Sequence, residues 1–253
     1  MVRDFGYVGT EDFAKATAQA RAEFAKIFAG TDYLQGGEPY YKHILQLIKP
    51  KQGQRLIDLG YGRGFFLREA EKHGLKLAGL DFCEASKAAA SRVVTKAMLA
   101  VGDIHNIPYK DNTFDFVSCL GTIEHLVKPQ EGIREIARIL KPSGVVVMTI
   151  PNSIYFYSRV WLMYAKYLAA KTLNLLRLRK KPAVFIRQPI DRFYTPKEGQ
   201  RLLEKNGLRV FYAETLKSKR QDFGIGRQYS DGQVKFDPSF FTTNFTLYLC
   251  RKR

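Results

Sequence analysis

Cysteine, tryptophan, acidic side chains and long apolar runs are all scarce in this 253-residue chain. It holds three cysteines, one tryptophan and 24 Asp and Glu against 41 Lys and Arg. Cys83, Cys119 and Cys250 lie far apart and form no Cys-x-x-Cys pair. That argues against a disulfide scaffold or a thiolate zinc site and leads us to expect a reducing, cytoplasmic setting. No stretch approaches the ~18 uncharged apolar residues that a spanning helix needs. Residues 1–13 carry Arg3, Asp4, Glu11 and Asp12 instead of an apolar leader. The expectation is a protein that is soluble or lies on a surface.

What is present suits a folded enzyme-sized unit. Hydrophobic residues make up 45% and aromatics 13%, ample for a core and against wholesale disorder. The length suits a single domain over residues 1–253. The net charge of +17 is unevenly spread. Residues 1–150 carry 20 basic and 17 acidic side chains, whereas residues 151–253 carry 21 and 7. The second part is therefore the one expected to meet something negative.

Short apolar runs alternate with helical patterns. Thr10 can cap a helix through Ala29, and Tyr40–Ile48 reads as a second, stopped by Pro50. Strands are predicted at Arg55–Leu59, Lys76–Leu80, Ala97–Val101, Phe114–Leu120 and Val145–Ile150. Helices are predicted between them at Phe65–His73, Glu84–Arg92 and Gln130–Leu140, with a turn at Lys141–Gly144. After an insertion come a helix at Pro196–Asn206 and strands at Gly207–Glu214 and Thr243–Cys250. Such alternation implies a doubly wound α/β fold with a mostly parallel sheet.

The densest chemistry follows the first core strand, in Arg55-Leu-Ile-Asp58-Leu-Gly60-Tyr61-Gly62-Arg-Gly64. Glycines there let the backbone approach a ligand at the carboxyl end of the sheet. A dinucleotide fingerprint would need a third glycine where Phe65 stands, and Asp58 would repel a phosphate. An acid ahead of Gly60, Gly62 and Gly64 instead suits S-adenosylmethionine, whose methionine end carries an ammonium and a sulfonium. Asp81, followed by Phe82, closes the second strand where a carboxylate can take both ribose hydroxyls. Asp103 follows the third strand, where it can accept from an adenine amino group while Ile104 packs on the ring. Leu120 lies at the exit of the fourth. Each acid also has a plainer reading: Asp58 and Asp81 as helix caps, Asp103 as a turn residue, Asp115 as a strand-starting support.

Taken together, DLGYGRG, GLDF, GDIHNIPYKDNTFD, GTIEHL and LKPSGVVVMTIPN resemble the class I S-adenosylmethionine-dependent methyltransferases, within their type 11 group, which includes quinone-biosynthesis enzymes. The resemblance covers residues 40–150, and IDRFYTPKEGQRLLEKNGL further on is similar too. It implies a Rossmann-like, seven-stranded sheet whose last strand runs antiparallel, with residues 51–150 as the cofactor-binding core. It also implies that residues 1–50 form a lid in which Tyr33 and Tyr40 help to close the pocket. Acceptor contacts are expected from Glu124, Tyr155, Arg192 and Tyr194, with residues 191–253 completing the sheet. His125 can act as a general base or can merely line the acceptor site. In the quinone O-methyltransferases a metal site is associated with Glu-x-x-Glu-His. Here Gly121 replaces the first acid, so no metal is expected. Tyr61 stands where the family usually has a small residue.

The insertion at residues 153–190 has eight Lys and Arg and no acid. On a helical projection Arg159, Lys166 and Arg177 share one side, opposite Trp161, Leu168 and Leu175. That suits residues 154–181 lying on an anionic membrane at the inner face, or equally a helical cover packed on the domain. The expected function is methyl transfer to a small-molecule or lipid-like acceptor. RNA or protein methylation is the alternative, and a non-catalytic cofactor-binding module is a third reading. Nucleic acid ranks behind because the fourth strand exits as Cys119-Leu-Gly121-Thr122, without the Asn/Asp-Pro-Pro-aromatic motif of adenine methyltransferases.

Overall fold

Leu56, Ile57, Asp58 and Leu59 are all buried, the pattern of a central strand covered on both faces. The structure, a computed structural model, describes residues 3–4, 38–155, 192–218, 223–229 and 244–253. It also describes residues 15, 17–18, 21–22, 25, 168–169 and 171–172, all helical.

The elements begin with β1 (Arg3–Asp4), α1 (Glu38–Ile48), β2 (Arg55–Leu59), α2 (Phe65–Glu71), β3 (Lys76–Asp81), α3 (Glu84–Ala90), β4 (Ala97–Val101) and β5 (Phe114–Leu120). A short 3-10 turn, Ile123–His125, precedes α4 (Pro129–Ile139) and β6 (Leu140–Pro151). The chain continues through β7 (Arg192–Phe193), α5 (Pro196–Lys205), β8 (Leu208–Ser218), β9 (Phe223–Tyr229) and β10 (Phe245–Lys252). Among the described residues no helix is long and apolar enough to cross a membrane.

One sheet runs β4-β3-β2-β5-β6-β10-β8-β9. β2 through β6 pair in parallel, while β10 lies antiparallel to both β6 and β8. This contains the expected seven-stranded sheet with its reversed last strand, extended by β9, which pairs antiparallel to β8. The sequence reading missed β9 because Phe-Gly-Ile-Gly-Arg-Gln-Tyr is broken by glycines and offers no apolar run. β1 and β7 form a separate two-residue ladder.

Helices cover both faces. On one, α1 and α2 bury Ile44, Leu45, Phe66 and Leu67 against Leu56, Val147, Leu247 and Leu249. On the other, α4 and α5 bury Ile133, Ile136 and Leu203 against Val117, Val146, Met148 and Tyr248. The start of α5 is fixed by a capping box: Thr195 Oγ1 accepts from Glu198 N at 3.2 Å, and Glu198 Oε2 accepts from Thr195 N at 2.9 Å.

Lys141–Gly144 lies within the span of β6 but has no partner on β5, whose pairing steps from Phe114–Leu140 to Phe116–Val145. The extra residues are absorbed as a register shift against β5 between Phe114 and Phe116. Gly144 is needed there, since a Cβ would lie 2.7 Å from Leu140 Cδ1 and 3.0 Å from the Asp115 carbonyl. Asp115 clasps the same end, accepting from Arg55 N at 2.9 Å and from Lys141 Nζ at 2.7 Å. The rest of the predicted N-terminal helix and insertion, with Tyr33, Arg159, Trp161, Lys166, Leu175 and Arg177, lies outside the described residues.

Candidate active site

The parallel strands end along one rim, and the loops that leave them hold most of the residues singled out in the sequence. The loop after β2 turns on Gly60, Gly62 and Gly64, all with positive φ, at 73°, 52° and 76°. Side chains rarely adopt such angles, so the turn itself demands glycine. A Cβ at Gly60 would also lie 2.4 Å from Thr122 Oγ1, so this glycine lets the loop press against the chain leaving β5.

Asp81, at the end of β3, holds that loop in shape. Its Oδ2 accepts from Gly62 N at 2.9 Å and its Oδ1 from Cys83 N at 3.0 Å. The backbone of Phe82 also hydrogen-bonds to this carboxyl, so the turn after β3 closes around it. Asp58 is buried beside it and accepts from Ser118 Oγ at 2.7 Å. Burial pushes the Asp58 carboxyl up to about 7; the Ser118 bond opposes this and the Asp81 charge adds to it. Burial likewise raises Asp81. Two desolvated carboxylates in mutual electrostatic contact make a place where a cation is favoured and a phosphate is not. A ligand with an ammonium or sulfonium beside ribose hydroxyls fits this donor set. Phe82, half-buried, follows Asp81, and Leu120 is half-buried at the end of β5.

Tyr61 takes a place the sequence did not suggest. Its ring is buried against Gly79 of β3, and its hydroxyl donates to the Ala100 carbonyl at 3.2 Å. The bulk of the side chain is thus spent in the core, leaving the Tyr61 backbone in the loop. Asp103 stands half-buried beyond β4, next to buried Ile104. Ile104 packs in the core with Ile123 and lies close over Gly132.

On the opposite side of the rim, Glu124 is buried and His125 partly so, with Nε2 3.9 Å from Glu124 Oε1. Gly121 N donates to Thr149 Oγ1 at 2.9 Å. Tyr40 of α1 is buried over the same threonine and hydrogen-bonds to it; burial drives its phenol pKa far up, opposed by that bond. Arg192 donates from its guanidinium to the carbonyls of Leu126 and Val127, so it props the loop after His125. Tyr194 is buried, bonded through its backbone to Pro151 and Ser153. Tyr155 is half-buried just beyond. Next to Arg192 and Tyr194 a cleft of about 450 Å³ opens between Pro129, Arg201 and Lys205. Among the described residues no three His, Cys, Asp or Glu side chains gather as a metal site.

The fold therefore joins Asp58, the glycine loop, Asp81 and Asp103 along neighbouring strand ends, and sets Glu124, His125, Arg192 and Tyr194 around an adjacent loop. Sequence reasoning missed Ser118, Thr149 and the partners of His105. The available signal was a polar residue interrupting an apolar strand near its carboxyl end, in Phe-Val-Ser118-Cys and Val-Met-Thr149-Ile.

Comparison with known proteins follows the same lines. Residues 57–148 match the family described as "Methyltransferase domain". A demethylmenaquinone methyltransferase from Corynebacterium kroppenstedtii is 37% identical over 98 residues, 38% of this chain and 42% of that protein, so the match spans less than half of its length. A ubiquinone biosynthesis O-methyltransferase from Coxiella burnetii is 28% identical over 174 residues, covering 66% of this chain and 71% of the relative. Among solved structures, an S-adenosylmethionine-dependent methyltransferase from Thermotoga maritima superposes with a TM-score of 0.58 at 21% identity, covering 93% of this chain and 95% of the other. At that identity the likeness speaks to the fold.

Proposed function

From the premise that residues 57–148 are a class I, S-adenosylmethionine-dependent methyltransferase domain of the type 11 group, we propose that this chain methylates a small, lipid-like acceptor. The observation that carries the reading is the buried pair Asp58 and Asp81 beside the glycine loop. When bound, the cofactor supplies an electrophilic methyl group on a positively charged sulfur.

Everything else falls to the chain's own residues. Asp58 and the backbone of residues 60–64 hold the methionine end, Asp81 takes the ribose hydroxyls, and Asp103 with Ile104 receives the adenine. The work is chiefly placement: an acceptor nucleophile must be held in line with the methyl, with water excluded. Buried Tyr40 closes the rim from above, and Glu124, Tyr155, Arg192 and Tyr194 shape the acceptor side. If the acceptor is a hydroxyl, His125 takes its proton, with Glu124 Oε1 3.9 Å from its Nε2. The names of the Corynebacterium and Coxiella relatives favour a quinone-type acceptor with an apolar tail. A tail of that kind agrees with the basic, aromatic residues 154–181 meeting an anionic membrane surface.

The test is incubation with methyl-labelled cofactor and fractionated cell extract. Label in the organic phase is expected. Label in RNA or protein instead would move the function to the basic half of the chain, and calorimetry without heat on adding the cofactor would overturn the reading.

A further inference from the structure

His105 makes a set of contacts that the proposed transfer reaction does not by itself require. Its ring is nearly buried, with 8% of the side chain exposed, and sits between two loops. On one side, Nδ1 lies 2.5 Å from Asp103 Oδ1. On the other, Nε2 lies 3.2 Å from the backbone N–H of Lys128, the residue that precedes α4. A backbone N–H only donates, so Nε2 must present a lone pair. The proton then belongs on Nδ1, which donates to Asp103. His105 also donates its own backbone N–H to the same Oδ1 at 2.9 Å. Both bonds converge on Oδ1, so His105 places no donor on Oδ2. Burial alone would raise the Asp103 carboxyl, but the His105 hydrogen bonds, together with nearby positive charge such as Arg21, outweigh it and hold the group below its usual range. Asp103 therefore stays an acceptor.

We propose that His105, as the neutral Nδ1–H tautomer, is a positioning residue that sets Asp103 to read the exocyclic amino group of the cofactor's purine. It also fastens that reading to the acceptor-side loop, because Lys128 follows Glu124 and His125 closely and the intervening Leu126 and Val127 carbonyls are held by Arg192. A 6-oxo purine would present an acceptor to the fixed carboxylate, so specificity for the amino base depends on how firmly Oδ2 is aimed. This inference rests on the cofactor reading given above.

The test compares binding of S-adenosylhomocysteine and its 6-oxo (inosyl) counterpart by calorimetry to wild type, His105→Ala and His105→Asn. A hydrogen bond to a charged group corresponds to a preference of about 10- to 100-fold for the amino base in wild type. His105→Ala should bring that ratio down about tenfold, whereas His105→Asn, which keeps an N–H near the Nδ1 position, should retain most of it. A merely structural role would weaken both ligands equally and leave the ratio unchanged, which overturns the proposal. Nitrogen NMR of histidine-labelled wild type gives a reading independent of the variants' folding: protonated Nδ1 and bare Nε2 are expected, and the opposite tautomer sinks the idea. Wild type that binds the two ligands equally well overturns this inference alone; wild type that binds neither overturns the cofactor reading with it.

Discussion

The ring of Tyr61 fills the space that a side chain at Gly79 would need, for a Cβ added there would lie 2.6 Å from Tyr61 Cδ1. The cofactor loop is thereby anchored through its own bulky residue, which crosses β3 to reach the β4 carbonyl of Ala100. Gly79→Ala is expected to destabilise the protein by about 1–3 kcal/mol, because Leu99 and Leu67 crowd the same position. Tyr61→Ala should cost about 3–5 kcal/mol through the cavity it leaves. The two changes should be less than additive, since the smaller residue makes room for the methyl. Urea unfolding of both single variants and the double variant measures the coupling; strict additivity would show that the ring does not depend on the glycine.

Asp58 gives a pH dependence with a definite sign. Its folded pKa, about 7, is above the ordinary carboxyl value. Between about pH 4 and 7 the folded state therefore keeps a proton that the unfolded chain gives up, and the contribution of Asp58 to stability falls as pH rises. Asp58→Asn removes this dependence while leaving an oxygen for Ser118. The variant should match wild type near pH 4 and exceed it by a few kcal/mol at pH 8, on the order of the shift it abolishes. Cofactor binding should move the other way: tightening with pH through about 7 in wild type, weak and flat in Asp58→Asn. Melting and titration calorimetry across that range read both; a variant no more stable at pH 8 than at pH 4, relative to wild type, would contradict the burial argument.

Asp81 uses a different oxygen for each backbone donor, Gly62 N on Oδ2 and Cys83 N on Oδ1. An asparagine offers only one acceptor oxygen, so Asp81→Asn must leave one of these N–H groups facing an NH₂. Charge-assisted bonds of this kind contribute roughly 1.5–3 kcal/mol. The expected result is a loss of cofactor affinity of about 10- to 100-fold, with Asp81→Glu no better because the longer side chain misplaces both oxygens. Affinity within threefold of wild type in Asp81→Asn would detach Asp81 from the site.

Much of this arrangement was legible in the sequence because local and tertiary demands coincide there. Arg55–Leu59 and Ala97–Val101 are strands at the predicted boundaries, the first covered on both faces and the second at the sheet edge, since short apolar runs bounded by turn residues suit strands. The helix expected at Pro196–Asn206 is α5, whose start the capping box of Thr195 and Glu198 fixes. What could not be read depends on distant partners. That Tyr61 enters the core follows from Gly79, eighteen residues on and on another strand. That His105 has two partners follows from where Lys128 comes to lie. Lys141–Gly144 has the composition of a turn, and that it bulges within the span of β6 follows from how Leu140 and Val145 pair with β5 on either side. Glu214 gave no sign of its burial, because the residues that satisfy it come partly from a helix 171 positions earlier.

That last relationship bears on how α1 is held over the rim. Glu214 of β8 is fully buried and accepts from Tyr212 Oη at 2.7 Å, with His43 Nε2 at 2.6 Å on its other oxygen. The same helix carries Tyr40 above Thr149, so loosening His43 should loosen the rim. His43→Ala strips a buried carboxylate of a close partner and should cost about 3 kcal/mol or more, as loss of one member of a buried polar pair does. Replacing both groups by apolar residues, His43→Leu with Glu214→Leu, leaves no desolvated carboxylate behind. Tyr212 is only half-buried and can turn its hydroxyl to water. The double variant should therefore be more stable than His43→Ala, by about 1–3 kcal/mol of coupling. Hydrogen exchange separates this clamp from ordinary packing. In His43→Ala the amides of residues 38–48 should exchange faster while those of β2 and β5 remain protected. Uniform acceleration over the whole sheet would mean that Glu214 supports the core in general and not the seating of α1.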